Sequence, residues 1–220
     1  MKILFLGNSA THVHDIPQML QRLSAKVGQD FEIGQITPGG YKLSQHADLS
    51  TEHGQRVLHE IQSGYDIVFL QDNGNCIISD SMKTDCENAC RTLAKHIEEN
   101  GAKLFFYVRP PYGYEFHGNS PLDQCLGFDA LFGKLSDELG AVCVYANRAF
   151  AYAIKNLNLE LWGPDNGHTS TEGAYLIACV FFATLFGRSA TILDTDGLST
   201  EIAATLQNVA DKIVFEGIKY

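Results

Sequence analysis

The sequence contains no C-x-x-C pair, no G-x-G-x-x-G and no Walker phosphate loop. Those absences remove the commonest sequence signals for a dithiol redox centre, a dinucleotide fold and an NTPase. Basic residues are scarce: 16 Lys and Arg stand against 26 Asp and Glu, for a formal net charge of −10. Such a chain repels phosphate backbones, which argues against a nucleic-acid partner. Long apolar runs are also missing. The longest, Ala174 to Phe186, falls short of the ~20 residues that a membrane-crossing helix needs and reads as a buried helix, so no membrane partner is expected. Met1 and Lys2 lead straight into an apolar strand, without the charged leader and cleavage site of a secretory signal, and a cytoplasmic protein is the expectation.

Metal and disulfide signals are equally thin. His12 and His14 form H-x-H, but no further ligands complete a site, so these two and His46 read as surface or pocket-rim histidines. The six cysteines (Cys76, Cys86, Cys90, Cys125, Cys143 and Cys179) mostly fall inside apolar patterns. They read as free buried thiols, although their even number also permits disulfides.

What is present is a regular alternation. The 220 residues are 45% hydrophobic and 19% charged, as in one large α/β domain spanning 1–220. Short β-rich runs at Lys2–Leu6, Phe31–Ile36, Asp66–Gln71, Leu104–Val108 and Val142–Tyr145 alternate with helical patterns. The helices are expected at Ile16–Val27, Gln55–Gln62, Ser81–Glu99, Asp123–Leu139, Arg148–Leu157, Thr171–Phe186 and Thr200–Phe215. "IVFL" and "LFFYV" are continuous apolar runs, the mark of strands covered on both faces. The pattern predicts a doubly wound parallel sheet with helices on both faces.

In such sheets ligands bind beyond the carboxyl ends of the strands. Ser9 follows the first strand behind Gly7, which would ease a tight turn. The position suits a nucleophile or a phosphate loop, or merely a helix cap. Far along the chain, "LWGPDNGHTSTEGAYLIA" carries Asp165 and His168 in D-x-x-H spacing, in a turn before a helix that Thr169 and Glu172 could cap. There a carboxylate can hold one imidazole nitrogen and aim the other outward, the orienter and base of a catalytic triad. Gly40 ends the second strand's segment and could offer a backbone N–H to an oxyanion, while Asn75 or Asn73 after the third strand could offer a side-chain amide.

Taken in order, "FLGNS", "PGGYKL", "LQDNGN" and "DNGH" resemble the four blocks of the SGNH, or GDSL-like, hydrolases, over residues 3 to 187. The opening resembles a branch of that superfamily reading GNS where the main family reads GDS. Three departures stand out: Asn8 replaces the usual Asp, the third block reads Asn73-Gly74-Asn75-Cys76 rather than Gly-x-Asn-Asp, and Thr169 follows His168 where Pro is common. The resemblance implies a flavodoxin-like three-layer αβα sandwich with a five-stranded parallel sheet in the order 2-1-3-4-5, and ester hydrolysis. It implies Ser9 as nucleophile, His168 as base and Asp165 as orienter. The Ser9 and Gly40 N–H groups with the Asn75 amide (Asn73 as rival) would form the oxyanion site. That chemistry requires no metal or organic cofactor.

Asp15, His46 and Arg109 follow motif loops or strand ends and could touch substrate. Tyr107, Tyr112, Tyr114 and Trp162 could form an aromatic wall suited to sugars, or serve core packing and loop anchoring. The expected partner is therefore a small-molecule or carbohydrate ester, an O-acetylated sugar foremost. The alternative is a flavodoxin-like phosphate- or nucleotide-binding module, which uses the first loop but leaves D-x-x-H without a role.

Overall fold

The computed structural model describes residues 1–157 and 159–219. The fold is α/β. Strands β1 (Lys2–Leu6), β2 (Glu32–Ile36), β3 (Ile67–Leu70), β4 (Lys103–Val108) and β5 (Val142–Tyr145) form one sheet in the order β2-β1-β3-β4-β5, as expected. The helices are α1 (Ser9–His12), α2 (Ile16–Ala25), α3 (Leu43–His46), α4 (Glu52–Ile61), α5 (Asp80–Glu99), α6 (Pro121–Leu139), α7 (Ala146–Asn156), α8 (Thr171–Phe186) and α9 (Thr200–Phe215). The longer helices lie where periodicity placed them, with ends shifted by up to three residues. The single-turn helices α1 and α3 are too short to leave a periodic signal.

Two compact units make up the chain. The first comprises Met1–Thr11, Phe31–Arg109 and Leu126–Cys143. Its core follows from the apolar strands: every residue of Ile3–Leu6 and of Ile67–Leu70 is buried, and β1 pairs in parallel with both β2 and β3. Register aligns Phe5 with Phe69 and Phe69 with Phe105, so three aromatic rings run across neighbouring strands. Their centroids lie 4.9 and 5.1 Å apart. Helix α5 packs beside β4 and buries Cys86, Ala89, Cys90, Leu93, Ala94 and Ile97, one stripe at helical spacing.

The second unit comprises His12–Asp30, Pro110–Cys125 and Val144–Tyr220. Its centre is α8, buried without interruption from Gly173 to Ala183 and packed against α2, α7 and α9. A helix apolar on every side is a core helix, as expected of the run from Ala174 to Phe186. Gly187 ends it in the left-handed conformation (φ 60°), returning its N–H to the Ala183 carbonyl. At the other end the cap is Ser170, which accepts from Gly173 N–H, and not the expected Thr169. No helix among the described residues is long and apolar enough to cross a membrane. All six cysteines are buried and free.

Truncating the middle ring of the aromatic row leaves a void between two rings that cannot close on each other. Phe69→Ala is expected to cost about 3–5 kcal/mol, measured as a lower urea midpoint at unchanged slope.

Candidate functional site

In the first unit, three loops leave the carboxyl ends of β1, β2 and β3, and buried side chains knit them together. Gln71, directly after β3, turns its carbonyl oxygen to the loop after β1. Oε1 accepts from Asn8 N–H (3.0 Å) and from the Thr11 hydroxyl (2.9 Å). Its Nε2 donates to the Asp72 carbonyl. Gly7 sits where a side chain has no room: a Cβ there would lie 2.6 Å from Gln71 Oε1 and 2.8 Å from Thr11 Oγ1. Gly7 has no left-handed backbone, so close approach, rather than an eased turn, explains it.

Asn8 is buried and bridges two loops. Its Oδ1 accepts from Ala10 N–H (3.0 Å), while its Nδ2 donates to the Tyr41 carbonyl (2.8 Å). An aspartate could not donate to that carbonyl, which gives a physical reason for Asn where the resembling family has Asp. Ser9, half-buried, opens α1 immediately behind it. Tyr107 is buried, and its hydroxyl donates to the Ala10 carbonyl (3.2 Å). It anchors this loop and does not belong to an aromatic wall.

After β3, Asp72 Oδ1 accepts from the N–H groups of Leu43 (3.0 Å) and Asn73 (2.8 Å). Asn73 Oδ1 caps the next turn by accepting from Asn75 N–H (3.0 Å), and its Nδ2 reaches the Gly40 carbonyl (3.4 Å). Gly40 is exposed, with φ 74°. Of the two asparagines, Asn73 is the one whose amide meets the Gly40 loop.

One expected substrate contact sits elsewhere than the sequence suggested. His46 is neither on the surface nor at a rim: it is fully buried, its Nε2 bonding the Gly7 carbonyl (2.9 Å) and its Nδ1 the Nε2 of His53 (3.0 Å). A carbonyl only accepts, so Nε2 carries the proton and Nδ1 accepts from His53. Arg109 is buried at the exit of β4. Polarity alone could not foretell either burial.

In the second unit, residues 161–170 fold back on themselves. Gly163 N–H meets the His168 carbonyl (2.9 Å), Ser170 N–H meets the Leu161 carbonyl (3.0 Å), and Trp162 bridges Thr169. Within this loop Asp165 Oδ1 accepts from the N–H groups of Gly167 and His168, both at 2.9 Å. Its Oδ2 lies 2.6 Å from His168 Nδ1. The imidazole hydrogen bond, then those two N–H groups, hold the Asp165 carboxyl down at about 2. An ionised carboxylate accepts only, so Nδ1 bears the proton and Nε2 is left as the basic nitrogen.

A second segment fastens this loop. Gly113 N–H donates to the Asn166 carbonyl (2.8 Å), and Trp162 Nε1 donates to the Pro111 carbonyl (3.0 Å). Tyr112 stacks on Tyr114 (5.4 Å), and Trp162 packs edge-on to Phe150 (5.3 Å). A second "GNS", at 118–120, lies in the loop before α6, where Ser120 and Asp123 exchange hydrogen bonds. His14, missed as a participant, donates from Nε2 to the Thr169 carbonyl (2.8 Å). Exposed Asp15 follows it; both hold left-handed backbone (φ 59° and 49°). An open cleft of about 520 Å³ beside the loop is lined by His14, Glu160, Trp162, Asn166 and Glu172, among others.

No protein-family model matches the sequence, and no curated protein matches it. Solved structures do. A protein from Slackia heliotrinireducens, described as a candidate SGNH hydrolase, is 25% identical, with a TM-score of 0.72 over 84% of this chain and 98% of that one. The chain has the SGNH hydrolase fold. A DUF4886 family protein from Bacteroides uniformis shares this SGNH-like architecture with a TM-score of 0.80 over 98% of this chain and 95% of its own, at 16% identity. The acetylxylan esterase Axe2 from Geobacillus stearothermophilus does so with a TM-score of 0.63 over 84% and 94%, also at 16% identity.

Ser9 thus lies in one compact unit, with Gly40, Asn73, Asn75, His46 and Arg109, and Asp165 and His168 lie with Asp15 in the other.

Burial, opposed only partly by the Gly7 hydrogen bond and reinforced by the neighbouring His53, lowers the His46 pKa from 6.5 to about 4. The unfolded chain therefore takes up a proton first as pH falls. The neutral His46 contribution is complete above about pH 6.5, drains away down to about pH 4, and amounts to about 3 kcal/mol. The facing groups are Tyr41 and His53, of which His53 shifts the same way. His46→Gln keeps a donor for the Gly7 carbonyl. Urea denaturation across that window is expected to show a shallower loss of stability in the variant than in the wild type.

Proposed function

We propose that this chain is a serine-dependent ester hydrolase that removes a small acyl group, with Ser9 as nucleophile, His168 as base and Asp165 as its orienter. The observation that carries this reading is the Asp165–His168 pair. One carboxylate oxygen holds the loop's own N–H groups, the other fixes the imidazole tautomer, and Nε2 remains to accept a proton. In the proposed reaction Nε2 takes the Ser9 hydroxyl proton as Oγ attacks the ester carbonyl. His168 returns that proton to the leaving alcohol, and water, activated by the same nitrogen, releases the acyl group from Ser9. Developing negative charge is received by the Ser9 and Gly40 N–H groups and by an asparagine amide. Asn73 is our choice for that amide, because its Nδ2 already meets the Gly40 loop.

An O-acetylated carbohydrate is the substrate class we favour. Two observations support it: the acetylxylan esterase among the structural neighbours, and the cleft beside the D-x-x-H loop, where an indole and hydrogen-bonding groups occur together. The phosphate-binding alternative is weaker. In the loop after β1 the N–H groups of Gly7, Asn8, Ala10 and Thr11 are already committed to internal acceptors, whereas a phosphate cradle needs several pointing outward.

Purified protein is expected to hydrolyse p-nitrophenyl acetate and to release acetate from acetylated xylo-oligosaccharides. Ser9→Ala and His168→Ala are each expected to lower kcat by at least ~10³-fold, and a fluorophosphonate should label Ser9. Equal rates in the wild type and both variants would remove the reading. Asn73→Ala is expected to reduce kcat by about 10²-fold or more, with Asn75→Ala within a few-fold of wild type; the reverse order would assign the amide to Asn75.

A further inference from the structure

One cluster in the first unit supplies no reacting group to the proposed ester hydrolysis. Asp72, Cys76 and Cys86 each turn a ligand atom toward the others, all within 4.8 Å of one another, and all three residues are buried. Asp72 leaves β3, Cys76 lies in the single turn of 3-10 helix after it, and Cys86 faces inward from the second turn of α5. Cys90 follows Cys86 one helical turn further on and is buried on the same face of α5.

We propose that Asp72, Cys76 and Cys86 form a binding site for a thiophilic divalent cation, Zn²⁺ foremost. The donor set argues for it: two sulfurs and a carboxylate oxygen suit Zn²⁺ and are a poor match for Mg²⁺ or Ca²⁺, which take oxygen. The spacing is close to what is needed. Two Zn–S bonds of about 2.3 Å at a tetrahedral centre set the sulfurs about 3.8 Å apart, a side-chain adjustment away from the present arrangement. Asp72 is also held as a ligand should be. Its Oδ1 is engaged by Leu43 and Asn73 N–H groups, which orient the carboxylate. Access comes through a small cleft lined by Lys42, Ser44, Asp85 and Met82 together with the cluster itself. On binding, the two thiols lose their protons to solvent, and the resulting trianionic donor set leaves one excess negative charge on the bound cation, which Lys42 in the cleft offsets. The cation would tie the turn after β3 to α5 and so fix the backbone that carries Asn73.

The test uses the full chain, purified under reducing conditions and stripped with a chelator, with Co²⁺ as the probe. One cobalt per chain is expected, with sulfur-to-cobalt charge-transfer absorption and the strong visible bands of a tetrahedral centre, and Zn²⁺ should displace it. Both signals should be absent from a Cys76→Ser/Cys86→Ser double variant and retained in Cys143→Ser, which alters a buried cysteine elsewhere. In case the double variant does not fold, Zn²⁺ is added to the wild type and alkylation of each cysteine is followed by mass spectrometry; Cys76 and Cys86 should be selectively protected. No charge-transfer band in the wild type, the same band in the folded double variant, or protection confined to other cysteines would overturn the proposal. Each readout is independent of esterase activity, so the two readings stand or fall separately.

Discussion

The amide of Gln71 has one oxygen and two claimants. Buried at the exit of β3, it receives Asn8 N–H and the Thr11 hydroxyl together, while its own N–H group turns to the Asp72 carbonyl. A buried polar group left without partners costs about 1–3 kcal/mol, so the loop after β1 can take few paths other than the one that serves this oxygen. From that constraint the rest of the first unit's loop cluster follows. Gly7 must lack a side chain, because a Cβ would collide with the same oxygen. Asn8, brought close to the loop after β2, must be able to donate as well as accept, because it faces a carbonyl. His46 closes the set by donating to the Gly7 carbonyl from below. Ser9 is flanked by Asn8 and Ala10, whose backbone N–H groups are both held by buried acceptors.

Much of this was legible in the sequence, for identifiable reasons. Continuous apolar runs such as Ile67–Leu70 leave no doubt about a strand buried on both faces, and the five strands fall within a residue or so of their expected ends. The helix α8 is read as easily, because nothing polar enough to face water interrupts it between Gly173 and Ala183. The D-x-x-H turn is a local motif, so its internal geometry follows from three successive residues and an acceptor. Asp165 meets His168 without help from any distant element.

What stayed hidden depends on contacts distant in sequence. His46 looks like any polar residue beside a glycine-rich loop. Its burial is decided by Gly7, 39 positions earlier, and by His53. The Asp72, Cys76 and Cys86 group has no spacing that marks a ligand set, because its members come from a strand exit, a 3-10 turn and a helix whose relative placement is set by packing. The capping error was smaller and of a different kind: Thr169 and Ser170 are adjacent, both can cap, and the bridge between Trp162 and Thr169 decides the matter by drawing Thr169 into the preceding loop.

The second unit shows why the segment before α6 is not a free flap. Residues 110–121 are fastened to the D-x-x-H loop by two hydrogen bonds, Gly113 to Asn166 and Trp162 to Pro111, and Gly113 presses so near the indole that a Cβ would lie 2.9 Å from it. The Gln124 side chain serves Tyr112, Tyr114 and Asn119 at once, giving the segment a buried anchor of its own. Displacing it would break bonds made by the neighbours of Asp165 and expose one side of Trp162. The segment and the imidazole-bearing loop therefore form one mechanical element. Precision at His168 depends partly on Pro111 and Gly113, which act through Trp162 and Asn166.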